Sequence, residues 1–168
     1  KRNVRFLLDE FVNIGQIPDF TKKLATMRKY QINCSIILQN LAQLKALYKD
    51  DWETTVGNCD EFLFLGGQEY STLEYISKEI GDATIVVRNT SRQRGKSGSS
   101  SLSFNRSGRR LMFENEIMQI PDDECILFIR GLKPFYDKKF TLEKHSNFKR
   151  TGDFHKDFNY INRLDNTR

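Results

Sequence analysis

Val4-Arg5-Phe6-Leu7-Leu8-Asp9-Glu10 is an apolar run of strand length that closes on two adjacent carboxylates, and Ser35-Ile36-Ile37-Leu38-Gln39 is a second such run that closes on an amide. Runs of four to five apolar or small residues recur at Val4–Leu8, Cys34–Leu38, Phe62–Leu65, Ala83–Val87 and Cys125–Ile129. They are continuous rather than alternating, the pattern of strands buried on both faces. Helical patterns lie between them. Asp19 to Tyr30 sets Phe20, Leu24 and Met27 on one face behind Pro18, and Leu41 to Tyr48 does the same with Leu41, Leu44 and Tyr48. Ser71 and Glu74 are spaced as a capping box before a stripe of Leu73, Ile76 and Ile80, with Gly81 as the stop. The order βαβαβαβ predicts an α/β fold with right-handed crossovers and a mostly parallel central sheet flanked by helices.

The chain has 168 residues, one domain's length, with 38% apolar residues and a net charge of +5. No apolar run approaches the length of a membrane span or of a secretory signal. Cys34, Cys59 and Cys125 stand singly in or beside apolar runs, without CxxC spacing or a nearby histidine. They read as reduced core thiols, which sets aside a disulfide scaffold and a zinc module. The start at Lys1, three residues before a strand-like run, reads as an excerpt of something longer.

Residues 88–110 break the pattern. Arg88, Arg92, Arg94, Lys96, Arg106, Arg109 and Arg110 are interspersed with serine and glycine and with no acid, so this segment's +7 exceeds the +5 of the whole chain. The basicity is local. Ser101-Leu102-Ser103-Phe104 alternates as the return strand of a hairpin after a Gly95/Gly98 turn. Seven positive charges with hydroxyls suit phosphate oxygens, and Arg92, Arg94 and Lys96 are the candidate nucleic-acid contacts; a solvated hairpin is the alternative. Residues 143–168 carry scattered aromatics without a period and read as a loosely attached tail.

The carboxyl end of a parallel strand opens at the ligand crevice, where in P-loop ATPases an aspartate such as Asp9 holds Mg²⁺ and a following glutamate such as Glu10 deprotonates the attacking water. Gln39, at the end of a second strand, falls at the same edge. A solvated strand end and a capping amide are the alternative readings. Gly95-Lys96-Ser97 resembles the close of a Walker A loop, but Thr90 stands where its first glycine belongs and no helix pattern follows. His145 and His155 lie in the tail, away from every candidate strand end. No Ser/His/Asp or Cys/His constellation emerges.

A longer match gathers these pieces. Phe6-Leu-Leu-Asp-Glu-Phe-Val-Asn-Ile-Gly15, Ile17-Pro-Asp-Phe20, Leu24-Ala-Thr-Met-Arg-Lys29, Ser35-Ile-Ile-Leu-Gln-Asn-Leu-Ala-Gln-Leu44, Tyr48-Lys-Asp-Asp-Trp52, Gly57-Asn-Cys-Asp60 and Phe62-Leu-Phe-Leu-Gly-Gly67 resemble the TraG/TraD-type coupling proteins of conjugation and type IV secretion. Arg110-Leu-Met-Phe113 and Ile120-Pro-Asp-Asp-Glu-Cys-Ile-Leu-Phe-Ile-Arg-Gly131 extend the likeness, which covers roughly residues 4–142.

The resemblance implies a RecA-like P-loop ATPase half. Residues 1–142 would be the C-terminal, Walker B portion of the nucleotide-binding domain, with the 88–110 hairpin within it and 143–168 as tail. It further implies a homohexameric motor at the cytoplasmic face of the bacterial membrane. That motor hydrolyses ATP with Mg²⁺ and passes relaxase-bound single-stranded DNA to type IV secretion channel components. Asp9 and Glu10 match the Walker B acids, with Asp9 the metal ligand, and Gln39 matches the glutamine that senses the γ-phosphate. Arg28 falls where the family has an arginine proposed to reach a neighbouring subunit's nucleotide; from the residues alone it is equally a solvated charge near a helix end. The family's membrane helices, its Walker A loop and its inserted all-helical domain have no counterpart here. The alternative function is a protein or nucleic-acid docking module with idle acids. A chromosomal RecA-like translocase is disfavoured by the Gln39 to Trp52 match.

The attraction for a nucleotide in this class comes chiefly from P-loop N–H groups and lysine. The 168-residue chain by itself is therefore expected not to bind Mg·ATP tightly. Titration calorimetry checks this: a Kd at or below about 10 µM, roughly −7 kcal/mol, would reveal a phosphate site elsewhere in the chain.

Overall fold

The computed structural model describes residues 3–92, 100–151 and 154. The chain divides into two compact units, Lys1–Asp137 and Lys138–Arg168. In the first, β1 (Val4–Leu8) pairs in parallel with β2 (Ile32–Ile36), in the register Val4↔Ile32 to Leu8↔Ile36. The crossover between them is α1 (Phe20–Met27), extended by a 3₁₀ turn at Arg28–Tyr30. Next come α2 (Leu41–Tyr48), α3 (Trp52–Gly57), β3 (Glu61–Phe64) and α4 (Tyr70–Ile80). A long hairpin of β4 (Asp82–Arg92) and β5 (Ser100–Arg110) follows, and then α5 (Glu114–Met118), β6 (Glu124–Ile129) and β7 (Phe135–Lys138).

The alternation of strands and helices is as expected, but among the described residues parallel pairing is confined to β1 and β2. β6 runs antiparallel to β3, from Glu61↔Ile129 to Phe64↔Ile126, and β7 adds to its other edge. The reason lies in the connection: β6 arrives from the hairpin and α5, not from a single crossover helix, so nothing obliges it to run parallel to β3. The run Ala83–Val87, expected as a core strand, is the outgoing arm of the hairpin. The excursion thus begins at Asp82, six residues before the basic segment.

Among the described residues two apolar clusters make the core. Phe11, Phe20, Leu41, Leu44 and Tyr48 form the first, with Phe11 stacked on Tyr48 at 5.8 Å and tilted on Phe20 at 4.8 Å. Phe64, Leu73, Ile76, Ile117 and Ile126 form the second. Phe62 and Tyr75 pack against both clusters, and partial burial followed by nearby Glu79 and Glu53 pushes the Tyr75 hydroxyl up to about 12. α4 thus serves both clusters. β1 departs from expectation: Phe6 and Leu7 are 46% and 68% exposed, because β1 has one paired neighbour among the described residues and reaches the core only through Leu8.

α4 is capped by Glu69 and not by the expected Ser71/Glu74 box. The Glu69 carboxylate accepts from both the Ser71 and Thr72 N–H groups, whereas Glu74 pairs with Lys78 at 2.9 Å. Gly81 closes the helix at φ 84°, a value glycine tolerates best. The three cysteines are unbridged thiols, and burial pushes Cys34 and Cys59 up. No described helix is long and apolar enough to cross a membrane.

Among its described residues the second unit has two 3₁₀ turns, Leu142–Lys144 and Phe148–Arg150. Phe140 meets His145 edge to face at 6.2 Å, and His145 Nδ1 accepts from the Asn147 N–H.

Candidate active site

The parallel ladder continues past the formal ends of β1 and β2. The Ile37 N–H donates to the Leu8 carbonyl at 2.9 Å, and the Phe11 N–H donates to the Ile37 carbonyl at 3.1 Å. These two bonds hold Asp9-Glu10 beside the segment that leads to Gln39. All three side chains are exposed at one end of the strand pair.

Local geometry shapes the acids further. Glu10 has left-handed backbone, φ 46° and ψ 47°, a conformation that costs a non-glycine residue about 1–2 kcal/mol. The turn is held by the Asn13 N–H on the Glu10 carbonyl at 2.8 Å and by the buried Phe11 ring behind it. Asn13 Nδ2 donates to Glu10 Oε2 at 2.5 Å, which leaves Oε1 without a bonded partner among the described residues. Asp9 Oδ1 accepts from the Glu10 N–H at 3.0 Å, and Oδ2 points no bond at any described residue. One oxygen of each acid is thus orienting and the other is available. Gln39 Oε1 accepts from Gln43 Nε2 at 3.3 Å.

The backbone after Gln39 is tied to α4. Asn40 caps α2 by accepting from the Gln43 N–H, and the next N–H, that of Leu41, donates to Thr72 Oγ1 at 2.9 Å. Thr72 in turn donates to Glu69 Oε2 at 2.6 Å, while Ser71 gives Glu69 its N–H and its hydroxyl. Partial burial pushes the Glu69 carboxyl up, but these hydrogen bonds from Thr72 and Ser71 outweigh it and hold the group at about 2. Glu69 and Thr72 were not singled out from the sequence; an acid two residues after the Gly66-Gly67 pair was the available signal.

Arg28 is not brought to this end. Its carbonyl accepts from the Gln31 N–H, whose own carbonyl accepts from Val4 at the start of β1. The five residues of β1 therefore separate Arg28 from Asp9, roughly 15 Å of strand. Arg28 Nη2 lies 2.8 Å from Asp60 Oδ2, and Arg130 Nη1 lies 3.0 Å from Asp60 Oδ1.

Of the basic segment, Arg109 and Arg110 are structural anchors. Arg109 pairs with Glu116 at 2.7 Å, and Arg110 donates to Ser77 Oγ at 3.0 Å and pairs with Glu114 at 3.2 Å. Arg106 is exposed. Arg92 closes β4, but its side chain lies outside the described residues, as do Arg94 and Lys96, His155 and the Gly95-Lys96-Ser97 stretch. Among the described residues no group of three or more His, Cys, Asp and Glu side chains is placed to hold a metal.

The family model of type IV secretory system conjugative DNA transfer matches residues 1–156. The chain belongs to that family. It is similar to conjugal transfer protein TraG of Rhizobium radiobacter, 33% identical over 137 residues that cover 80% of this chain and 21% of that protein. It is also similar to VirD4 of Agrobacterium fabrum (strain C58), 27% identical over 140 residues that cover 83% and 21%. This conjugative-transfer chain spans about a fifth of the length of the curated relatives it matches. Among solved structures it resembles the bacterial conjugative coupling protein TrwBdeltaN70, with a TM-score of 0.67 at 19% identity over 83% of this chain and 32% of that one. TrwB in complex with ADP and Mg²⁺ matches with a TM-score of 0.62 at 19% identity, covering 86% and 33%. At that identity the likeness is one of fold, and the fold is the expected RecA-like one.

The depressed Glu69 value carries a stability prediction with a definite sign. A carboxyl whose folded value lies below its ordinary 4.5 stabilises the fold above that pH, and the contribution fades as pH falls toward about 2. Glu69→Gln is expected to cost about 1–2 kcal/mol at pH 7. In urea titrations the gap from the unsubstituted chain should narrow as pH drops through this window; a gap independent of pH would show that the ionised cap is not what α4 relies on.

Proposed function

We propose that this chain is the Walker B part of the motor of a conjugative coupling protein, an ATP hydrolase acting as a homohexamer. In this reading the motor recruits relaxase-bound single-stranded DNA to the type IV secretion channel, at the cytoplasmic face of the cell membrane in the whole protein. The observation that carries the reading is the convergence of Asp9, Glu10 and Gln39 at one end of the β1–β2 pair, locked there by the two bonds that extend the ladder. The relatives' names, TraG and VirD4, and the solved TrwB complexes with an ATP analogue and with ADP and Mg²⁺ support it.

The donor set fits Mg·ATP at its γ-phosphate end. One exposed aspartate with an oxygen to spare is what a Mg²⁺ site needs when the substrate's phosphates and water complete it. When bound, Mg²⁺ neutralises charge on the phosphates. Asp9 would hold the metal's shell. Glu10 accepts a proton from water at Oε1 while Asn13 fixes Oε2. Gln39, just ahead of α2, would donate its amide to the terminal phosphate of a bound nucleotide. Arg28, carried to the far end of the strands, serves the site of an adjacent copy and not its own. In this reading the positive charges of Arg92, Arg94 and Lys96 neutralise phosphates of the DNA backbone, and Arg109 and Arg110 anchor the base of the hairpin.

In the whole protein, Glu10→Gln should keep nucleotide binding and lower turnover by roughly 10² to 10⁴, since only the base is removed. Asp9→Ala should also weaken Mg·ATP binding. Steady-state hydrolysis with a nucleotide-binding assay decides: turnover for Glu10→Gln within about threefold of the unsubstituted protein would favour the docking module with idle acids.

The hairpin has its own test. Replacing Arg92, Arg94 and Lys96 together by Ala should weaken single-strand binding and flatten the slope of log K against log salt, by about 0.7 for each phosphate that is no longer neutralised. An unchanged slope would take the segment off the DNA path.

A further inference from the structure

The Asp60 carboxylate is held from two sides. Oδ1 takes Arg130 Nη1 at 3.0 Å, Oδ2 takes Arg28 Nη2 at 2.8 Å, and Arg130 is itself fixed by Nη2 on the Gly57 carbonyl at 2.8 Å. The result is a relay, Gly57 to Arg130 to Asp60 to Arg28, whose first members are secured by backbone. The Arg130 N–H donates to the Asp60 carbonyl at 2.9 Å, just beyond the β3–β6 ladder, so the two residues of the inner pair are locked in register. Gly57 ends α3.

We infer that Asp60, backed by Arg130, is a positioning residue for the Arg28 guanidinium. The inference rests on the proposed role of Arg28 toward a neighbouring copy's phosphates and adds to it the device that aims the side chain. Stability does not account for the arrangement. Arg28 and Asp60 side chains are 79% and 49% exposed, and ion pairs that open to water contribute little to folding. Geometry does account for it. A long arginine side chain loses much rotamer freedom when it is ordered, and a single carboxylate partner at Nη2 orders it in advance while Nη1 and Nε have no partner among the described residues and can meet a ligand. Glu61 and Glu79 line the groove beside Asp60 and Arg130, so the surroundings are not a general anion trap. What the cluster offers is direction.

The test uses the whole protein and steady-state ATP hydrolysis. Asp60→Asn is expected to lower kcat by about 10- to 100-fold with KM changed less than about threefold, the cost of a misplaced group that acts in the transition state. Asp60→Glu should recover part of the loss. The double variant Arg28→Ala/Asp60→Asn should turn over like Arg28→Ala alone, because Asp60 acts through Arg28. Arg130→Lys, which keeps the charge but loses the fork, should show a smaller fall in the same direction and covers the case that Asp60→Asn folds poorly by thermal melting. The inference is overturned if Asp60→Asn and Arg130→Lys hold full kcat while Arg28→Ala loses it, or if the double variant loses the product of the two single effects. Normal turnover in both Arg28→Ala and Glu10→Gln would instead sink the reading on which the inference rests.

Discussion

Everything assigned to the strand end depends on the register of one parallel pair. Side chains alternate along a strand, so a slip of one residue between β1 and β2 would turn Leu8 away from the core and carry Asp9 and Glu10 past Gln39. The bonds from Ile37 to Leu8 and from Phe11 to Ile37 prevent that slip at the point where the strands have already ended. Phe11 contributes twice, through its N–H in the ladder and through a fully buried ring wedged between Phe20 and Tyr48. The left-handed turn at Glu10 is sustained by packing on one side and hydrogen bonds on the other, as strained backbone must be if it is to persist.

α4 is the second organising element. Its first turn receives the N-terminus of α2 through Thr72, and its last turns receive the hairpin base through Ser77, which accepts from Arg110 and donates to the Met112 carbonyl. Both hydroxyls are buried, and each is satisfied as donor and as acceptor, which is the condition under which a buried polar group does not weaken a core. One helix thereby connects the segment after Gln39 to the basic hairpin.

The crossover topology has a further consequence. A helix that leaves the carboxyl end of one strand and returns to the amino end of the next carries its last residues to the opposite side of the sheet. Arg28 stands there because α1 is such a helix, and Asp60 stands beside it because β3 begins on that side. Under the proposed reading, the acids and the arginine of one chain serve two different sites, which is how a ring assembly is completed across its interfaces.

The sequence by itself determined the elements with strong local signals. α2 occupies Leu41–Tyr48 as its apolar spacing required, β1 ends where two carboxylates interrupt the apolar run, and the family resemblance was carried by the residues of a series of short motifs. Local pattern could not say which strands pair. The run Ala83–Val87 has the composition of a core strand, and only its registry with Asn105–Arg109 made it a hairpin arm. Nor could it place the cap of α4: Ser71 and Glu74 have the spacing of a capping box, but the Glu69 carboxylate takes the first N–H groups and the Thr72 hydroxyl, which also receives Leu41 from a distant part of the chain. The meeting of Arg28 and Arg130 at the Asp60 carboxylate was beyond sequence for the same reason. Those residues meet through three separate elements, and contacts between residues far apart in the chain are set by packing rather than by any periodicity along it.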